Sequence, residues 1–535
     1  MVLISVLADV AFGCGGLVCD AQQPVIQEGE KIIFGLDSET GTVETHVEIS
    51  YSGPAASFGW IVPVFGEPEV FASPQALFDQ LGPATSPLFT LQNVDEGRCR
   101  NSTRQLRFGV FELSLDDSAP AEPSPVDVLS RSEVGPYDAT VLQAQSSEAL
   151  RSFLDANHYA IPESLDPALA PYISQGAYFI AIRLQKDREV GDIAPLGFRY
   201  NAAKASIPIQ LTAIAVADDM PLEVYVFGKA RAVPESYLHV KINEAAIDWW
   251  SGGANYFDVV RRAADEAGGQ AFATDYFGAP PELPQRIPDL GFLAEASGRL
   301  EWLVDLFEVA GWAIDNGTWP IIAELAGLPP SVSYAEYVEC PECYWTELPA
   351  TFFDAAAATE TLVEEVQEPL QDVFSLFDEP YVTRLTSSLS AAEMTVDPVF
   401  VLNPDMSNEP VSNLRNATQV FECRPNRRRW KARRRLELAD GRVIRMHSTD
   451  RIGGQELAFL EDQAAVAAKV IERTSASGEP EVLFDFSNEL NALAQGGVGR
   501  GCAGWRGCTT TGPGALGVLG WFLVFATLRR RSLRG

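Results

Sequence analysis

Alternation of apolar and polar positions marks most of the chain. Residues 31–36 and 42–51 are β-branched, alternating runs joined by the turn residues of 37–41, a pattern that predicts a β-hairpin. Residues 58–64, FGWIVPV, are apolar at successive positions and suit a strand buried on both faces, closed by Pro63 and Pro68. Ser73 is expected to cap a short helix with Pro74 at its first position and Leu77, Phe78 and Leu81 on one face. Ser146 or Ser147 starts another, on which Ala149, Leu150, Phe153 and Leu154 recur at helical spacing. Strands are expected over 137–142, 178–184, 207–216, 222–227, 381–389, 395–402 and 482–486, with a last short helix over 464–471. Asp440-Gly441 reads as a hairpin turn.

From Asn243 to about Thr359 the period lengthens from two to nearly four. Tyr256, Phe257, Val260, Ala264 and Ala267 make one helix face ended by Gly268 and Gly269, and Leu300, Leu303, Val304 and Phe307 make another. The fold class is therefore α+β: a β-rich ectodomain with a helical insertion, plus one C-terminal transmembrane helix. The expected divisions are an export-signal remnant with Cys14 and Cys19 over 1–25, and a β-rich domain over 26–242. A helical insertion over 243–375 and a β-rich part over 376–490 follow. The chain then runs through a Gly/Cys tether over 491–508, a transmembrane helix over 509–528 and a basic cytoplasmic tail over 529–535.

The anchor rests on length and charge. A helix over 509–528 would be about 30 Å long, enough to cross a bilayer. Arg529, Arg530, Arg531 and Arg534 would stop it on the cytoplasmic side, which leaves the preceding chain outside the cytoplasm. At the other end, residues 1–14 hold an apolar run interrupted by Asp9 and a small-residue approach to Cys14, so an export signal is expected and its type stays open.

Composition sharpens this picture. The 535 residues carry a net charge of −33, which repels nucleic acid and keeps an ectodomain soluble. In an exported chain, Cys14 with Cys19, Cys340 with Cys343, and Cys99 with Cys423 are disulfide candidates, the last closing a loop of more than 300 residues. In a reducing compartment Cys340 and Cys343 would instead be half of a zinc site, but no second Cys-x-x-Cys completes it. No cofactor is expected.

Candidate chemistry is sparse. Residues 499–504 match G-x-G-x-x-G without a preceding strand, and no G-x-S-x-G elbow, P-loop or H-E-x-x-H is present. His46, His158, His239 and His447 lie far apart in sequence, so any triad would have to be assembled by the fold. Tryptophans at 249, 250, 302, 312, 319 and 345 suit either core packing or an aromatic groove. Arg427, Arg428, Arg429, Lys431, Arg433, Arg434 and Arg435 form a basic patch. It either docks an anionic envelope polymer or neutralises the protein's own carboxylates.

Two resemblances follow. SFGWIVPV from Ser57, ALRSFLDANHYAIPE from Ala149, YISQGAYFIAIRL from Tyr172, IPIQLTAIAV from Ile207, ADEAGGQAFATDYFG from Ala264 and YVTRLTSSLSAAEMTVDPVF from Tyr381 resemble the bacterial domain-of-unknown-function family 2330. That resemblance implies an exported or membrane-anchored protein and supplies no catalytic residue. The tail, with Cys502 or Cys508 before the apolar run and the arginines, resembles the MYXO-CTERM sorting signal, which implies processing at the cysteine and carriage to the cell surface. The expected function is that of a membrane-tethered cell-envelope protein, non-enzymatic, with a binding or structural role. Its partners would be the lipid bilayer and an anionic envelope polymer. The alternative is a surface hydrolase of carbohydrate or peptide using a carboxylate pair.

Overall fold

The computed structural model describes residues 17–18, 26–52, 59–98, 128–134, 137–157, 159, 165–184, 194–281, 323, 332–333, 373–425, 429, 432–446 and 467–487. In chain order the strands are β1 (Leu17–Val18), β2 (Ile26–Asp37), β3 (Thr42–Ser52), β4 (Gly59–Val64), β5 (Glu69–Ala72), β6 (Leu88–Glu96), β7 (Val128–Val134), β8 (Tyr137–Gln143), β9 (Tyr178–Leu184), β10 (Leu196–Asn201) and β11 (Ala205–Ser206). They continue with β12 (Met220–Gly228), β13 (Arg231–Pro234), β14 (Leu238–Ile242), β15 (Ala271–Gly278), β16 (Tyr381–Leu389), β17 (Val399–Asn403), β18 (Leu414–Glu422), β19 (Arg433–Leu438), β20 (Val443–Met446), β21 (Ala468–Arg473) and β22 (Glu481–Asp485). The helices are α1 (Ala76–Thr85), α2 (Ser147–Ala156), α3 (Leu165–Ser174), α4 (Ile209–Thr212) and α5 (Tyr256–Glu266).

Among the described residues the strands form four sheets. The central one has ten strands in the order β22-β21-β14-β15-β16-β12-β2-β3-β10-β5, and the second has five, β1-β4-β9-β8-β7. Smaller sheets are β11-β17-β13 and β20-β19-β18-β6. Most neighbours are antiparallel; β2 with β12, β14 with β15 and β6 with β18 run parallel.

Packing is in layers. Ile32, Phe34, Val43 and Val47 of the central sheet meet Trp60, Val62, Ile180 and Ile182 of the five-stranded sheet, whose far side is covered by α2 and α3. The other face of the central sheet carries Ile33, Tyr225, Phe227 and Val382, on which α1 lays Leu77, Phe78 and Leu81. β2 is thus covered on both sides, which is why Ile32, Ile33 and Phe34 are apolar in succession. β4 is buried along its whole length for the same reason.

Local chemistry sets several boundaries. Ser146 Oγ accepts from the Ala149 amide and caps α2, which buries Leu150, Phe153 and Leu154, each worth about 1.5–3 kcal/mol. Gly268 and Gly269, at φ +95° and +86°, end α5 where a side chain would be strained.

Four expectations are corrected. Ser73 does not cap α1: the capping position is Gln75, without a side-chain bond, and the Ser73 hydroxyl turns to His46 instead. Residues 207–216, read as a strand, contain the helical turn α4, because Asp397 Oδ1 accepts from the Gln210 amide at its start. The last helix, expected over 464–471, is over 468–473 the strand β21, paired to both β14 and β22. Within the segment expected to be helical, β15 is an inner strand of the ten-stranded sheet. Among the described residues no helix is long and apolar enough to cross a membrane; residues 509–528 lie outside them.

Candidate functional site

The α1-covered face of the central sheet carries a polar row beneath its apolar cover. His46 on β3 is fully buried, and its Nδ1 lies 2.9 Å from Ser73 Oγ while its Nε2 lies 3.0 Å from Glu44 Oε1. Arg199 on β10 holds the second oxygen of Glu44, Nη2 to Oε2 at 2.6 Å and Nε at 2.9 Å. Burial opposes the charge on Glu44. The hydrogen bonds and charges of His46 and Arg199 more than offset it, and its carboxyl sits below the usual range. With Glu44 ionised, Nε2 is the donor to it, and in the neutral imidazole Nδ1 is then the acceptor for the Ser73 hydroxyl. The chain of contacts has the connectivity of a nucleophile, a base and an orienting acid. It is also the tie that fixes the segment leading into α1.

The far end of α1 is tied in the same way. Arg384 on β16 donates through Nη1 to Ser86 Oγ and to the Gly82 carbonyl, which places a cation at the helix C-terminus, where the dipole favours it. Its Nη2 lies 2.7 Å from Glu223 Oε2, its Nε 3.3 Å from Asp275 Oδ2, and its guanidinium rests over the Tyr225 ring. Asp275 in turn accepts from the hydroxyls of Tyr256 and Thr386, so α5 is held to the sheet through Tyr256. Burial pushes the Asp275 carboxyl above its ordinary value against the pull of Arg384, Thr386 and Tyr256. Glu223 and Asp275 are a carboxylate pair, but Arg384 fills the space between them.

A second histidine repeats the first arrangement. His239 Nδ1 lies 2.8 Å from Glu472 Oε1 and its Nε2 2.8 Å from Thr274 Oγ1, while Lys241 Nζ is 3.1 Å from Glu472 Oε2. Burial depresses the His239 pKa, and burial of Glu472 is outweighed by His239 and Lys241, which hold its carboxyl low. His239 shows no acidic partner in sequence, since Glu472 is 233 positions away. Glu44, two residues from His46, was the one local signal, because positions i and i+2 share a strand face.

Between the two large sheets, a cavity of about 20 Å³, room for the centre of one water molecule, is lined by Glu30, Thr45, Trp60, Phe198, Leu211 and Thr212. Burial pushes the Glu30 carboxyl up to about 7, against one hydrogen bond from Gln27.

Two arginines of the basic patch, Arg429 and Arg435, are paired with carboxylates of the chain itself. Arg435 Nη1 lies 2.6 Å from Glu96 and 3.4 Å from Glu422, and its Nε 2.7 Å from Glu437. Arg429 lies 2.6 Å from Asp95, with its guanidinium 4.1 Å from the centre of the Phe421 ring. Arg434 is buried and Arg433 is exposed on the same strand; Arg427, Arg428 and Lys431 lie outside the described residues. Trp249 is core, edge-on to Phe89, and Trp250 donates to Gln419; the other four tryptophans of the cluster are outside the described residues.

Cys423 is disulfide-bonded, and its amide donates to the Glu96 carbonyl at the end of β6. Cys14, Cys19, Cys99, Cys340, Cys343, Cys502, Cys508 and the arginines at 529, 530, 531 and 534 lie outside the described residues. Among the described residues no group of three His, Cys, Asp or Glu side chains could hold a metal ion.

Fold and site together define a layered, β-rich α+β protein in which α1 and α5 are fastened to a ten-stranded sheet by buried charged and hydroxyl side chains. The chain belongs to the family described as an uncharacterized protein conserved in bacteria (DUF2330), whose sequence model matches residues 8–394. No curated protein matches it. Among solved structures, the crystal structure of baculovirus P35 is similar over 39% of this chain and 66% of that chain, just under two thirds, at 15% identity and a TM-score of 0.22. A likeness that slight carries no argument.

Proposed function

We propose that this chain is a non-enzymatic, membrane-tethered protein of the cell envelope whose β-rich body stands outside the cytoplasm in a binding or structural role. The observation that carries the reading is the disulfide at Cys423, since such bonds persist in oxidising compartments and are rare in the cytosol. Cys99 is the partner in this reading: β6 and β18 end side by side at Glu96 and Glu422, three residues before Cys99 and one before Cys423. The apolar run over 509–528 with its arginines, and its likeness to the MYXO-CTERM signal, supply the tether, with Cys502 or Cys508 as the processing site. The segment expected as a helical insertion belongs to the same reading. Fractionation tests it: full-length protein is expected with membranes and protein cut after Gly497 in the soluble extracytoplasmic fraction, with a Cys99–Cys423 peptide in non-reducing digests. Recovery of both forms in the cytosol with free thiols would sink the proposal.

A hydrolytic second reading has one observation in its favour, the Ser73–His46–Glu44 chain of hydrogen bonds. It predicts covalent labelling of Ser73 by a fluorophosphonate, lost in His46→Asn. An unlabelled Ser73 in folded protein ends it. The burial of all three side chains, and their use in holding α1, favour the first reading.

A further inference from the structure

Most buried arginines of the described structure have partners that explain them. Arg384 has Glu223 and Asp275, and Arg442 donates to Asp440 and to Asn243 Oδ1. Arg231, at the start of β13, is different. The residue is 3% exposed, its Nε is buried without a hydrogen bond, and no described residue accepts a hydrogen bond from its guanidinium or lies within ion-pair distance of it. Only the Phe277 ring, 5.7 Å from the guanidinium carbon, supports the group from one side. The backbone around it is fixed: the Arg231 amide donates to Ser407 Oγ, and Arg231 pairs in register with Asn403, whose side chain donates to the carbonyls of Ser475 and Gly478. A cation so largely removed from water, with Nε fully enclosed and no partner in the described chain, is costly for a fold to carry.

The obvious internal partners are otherwise engaged or placed. Glu472 gives one oxygen to His239 and the other to Lys241. Glu409, the other carboxylate acting on Arg231 through space, is exposed on the turn after β17. Desolvation depresses the Arg231 pKa more than these two acids raise it. The geometry points to a binding site for a small oxyanion at Arg231, a carboxylate or phosphate group whose two oxygens match the guanidinium fork. Phe277 backs it, and it lies beside the stitched turns that carry Ser407 and Ser475. Carboxylate and phosphate share this chemistry, because both accept two parallel N–H bonds in the plane of the guanidinium. The net charge of −33 disfavours an extended polyanion at the surface and leaves a single small anion as the ligand that one buried cation can take.

The test is thermal unfolding of the full chain in non-ionic detergent, titrated with sodium phosphate or sodium acetate against sodium chloride at matched ionic strength. The wild type is expected to show a saturable rise of about 2 °C or more over the chloride control. Response to phosphate alone, to acetate alone or to both supports the site and identifies the source. Arg231→Met, of similar length and uncharged, should lose the response and melt no lower than the wild type in chloride, because it removes an unpaired charge. Equal behaviour of the two proteins in all three salts overturns the proposal. A melting point of R231M well below the wild type in chloride overturns it as well. So does a similar fall on Glu409→Gln, which would make the exposed Glu409 the partner of Arg231.

Discussion

His239 on β14 and Glu472 on β21 face each other as cross-strand partners, Nδ1 to Oε1 at 2.8 Å. The contact adds a side-chain tie to the backbone ladder that holds β21, and β22 beyond it, at the edge of the ten-stranded sheet. Replacing Glu472 by Leu would strand His239 and Lys241 beside Arg231. The expected cost is about 3 kcal/mol or more, read from the denaturant midpoint. A loss under about 1 kcal/mol would mean the pair does not hold the edge. Acid should act in the same direction. Both folded pKa values lie below their ordinary ones, 6.5 for His239 and 4.5 for Glu472, so the unfolded chain binds more protons. Their stabilisation is therefore present above about pH 6.5 and is lost as the pH falls, first through His239 and then through Glu472.

Glu30 works with the opposite sign. Its folded pKa of about 7 stands above the ordinary 4.5, so the folded chain binds the extra proton and stability falls as pH rises from about 4.5 to about 7. The contribution amounts to about 3 kcal/mol across that window. Glu30→Gln keeps the shape and a hydrogen bond to Gln27 while removing the titration. Melts of the variant should lose this fall with pH while keeping the acid-side loss of His239. An unchanged pH profile in Glu30→Gln would place the proton elsewhere.

How much of this was legible in sequence depended on the range of the interaction that decides each element. β2, β3, β8, β9, β12 and β16 announce themselves because their own alternation or apolar content decides their burial. α2 and α5 do so because Ser146 and Gly268 sit at their ends. α4 replaced an expected strand because Asp397, 187 positions from Gln210, supplies the acceptor at its first turn. β21 replaced an expected helix because Glu472 has its partner on β14. The polar row under α1 was hidden for the same reason: Arg384 reaches Ser86 across 298 positions and Arg199 reaches Glu44 across 155. Ser73 was visible as a helix-start residue, but His46, 27 positions earlier, takes its hydroxyl.

Cys423 yields a redox prediction. If it closes the long loop to Cys99, Cys423→Ser or reduction should lower stability by about 2–5 kcal/mol, most of it through the unfolded chain. The neighbouring contacts of Arg435 with Glu96 and Glu422 should survive as weak surface pairs, so the effect should be nearly independent of salt. Melts of oxidised and reduced protein at low and high salt decide it. Equal midpoints in the two redox states would remove the bond from the stability of the fold.

The two ties of α1 should differ in strength, and the difference follows from charge. Ser73→Ala removes one neutral hydroxyl and leaves His46 still bonded to Glu44, so a loss of about 1 kcal/mol is expected. Arg384→Leu leaves Glu223 and Asp275 buried without their shared cation, and the Gly82 carbonyl without a donor, so about 3–5 kcal/mol should be lost. Hydrogen exchange over residues 76–85 reads the same hierarchy locally, with faster exchange of α1 in Arg384→Leu than in Ser73→Ala. Tyr256 provides the control: Tyr256→Phe removes a donor to Asp275 but leaves Arg384 paired, so it should loosen α5 and leave exchange in α1 unchanged. Equal exchange of α1 in all three variants would show that apolar contact of Leu77, Phe78 and Leu81 alone holds the helix on the sheet.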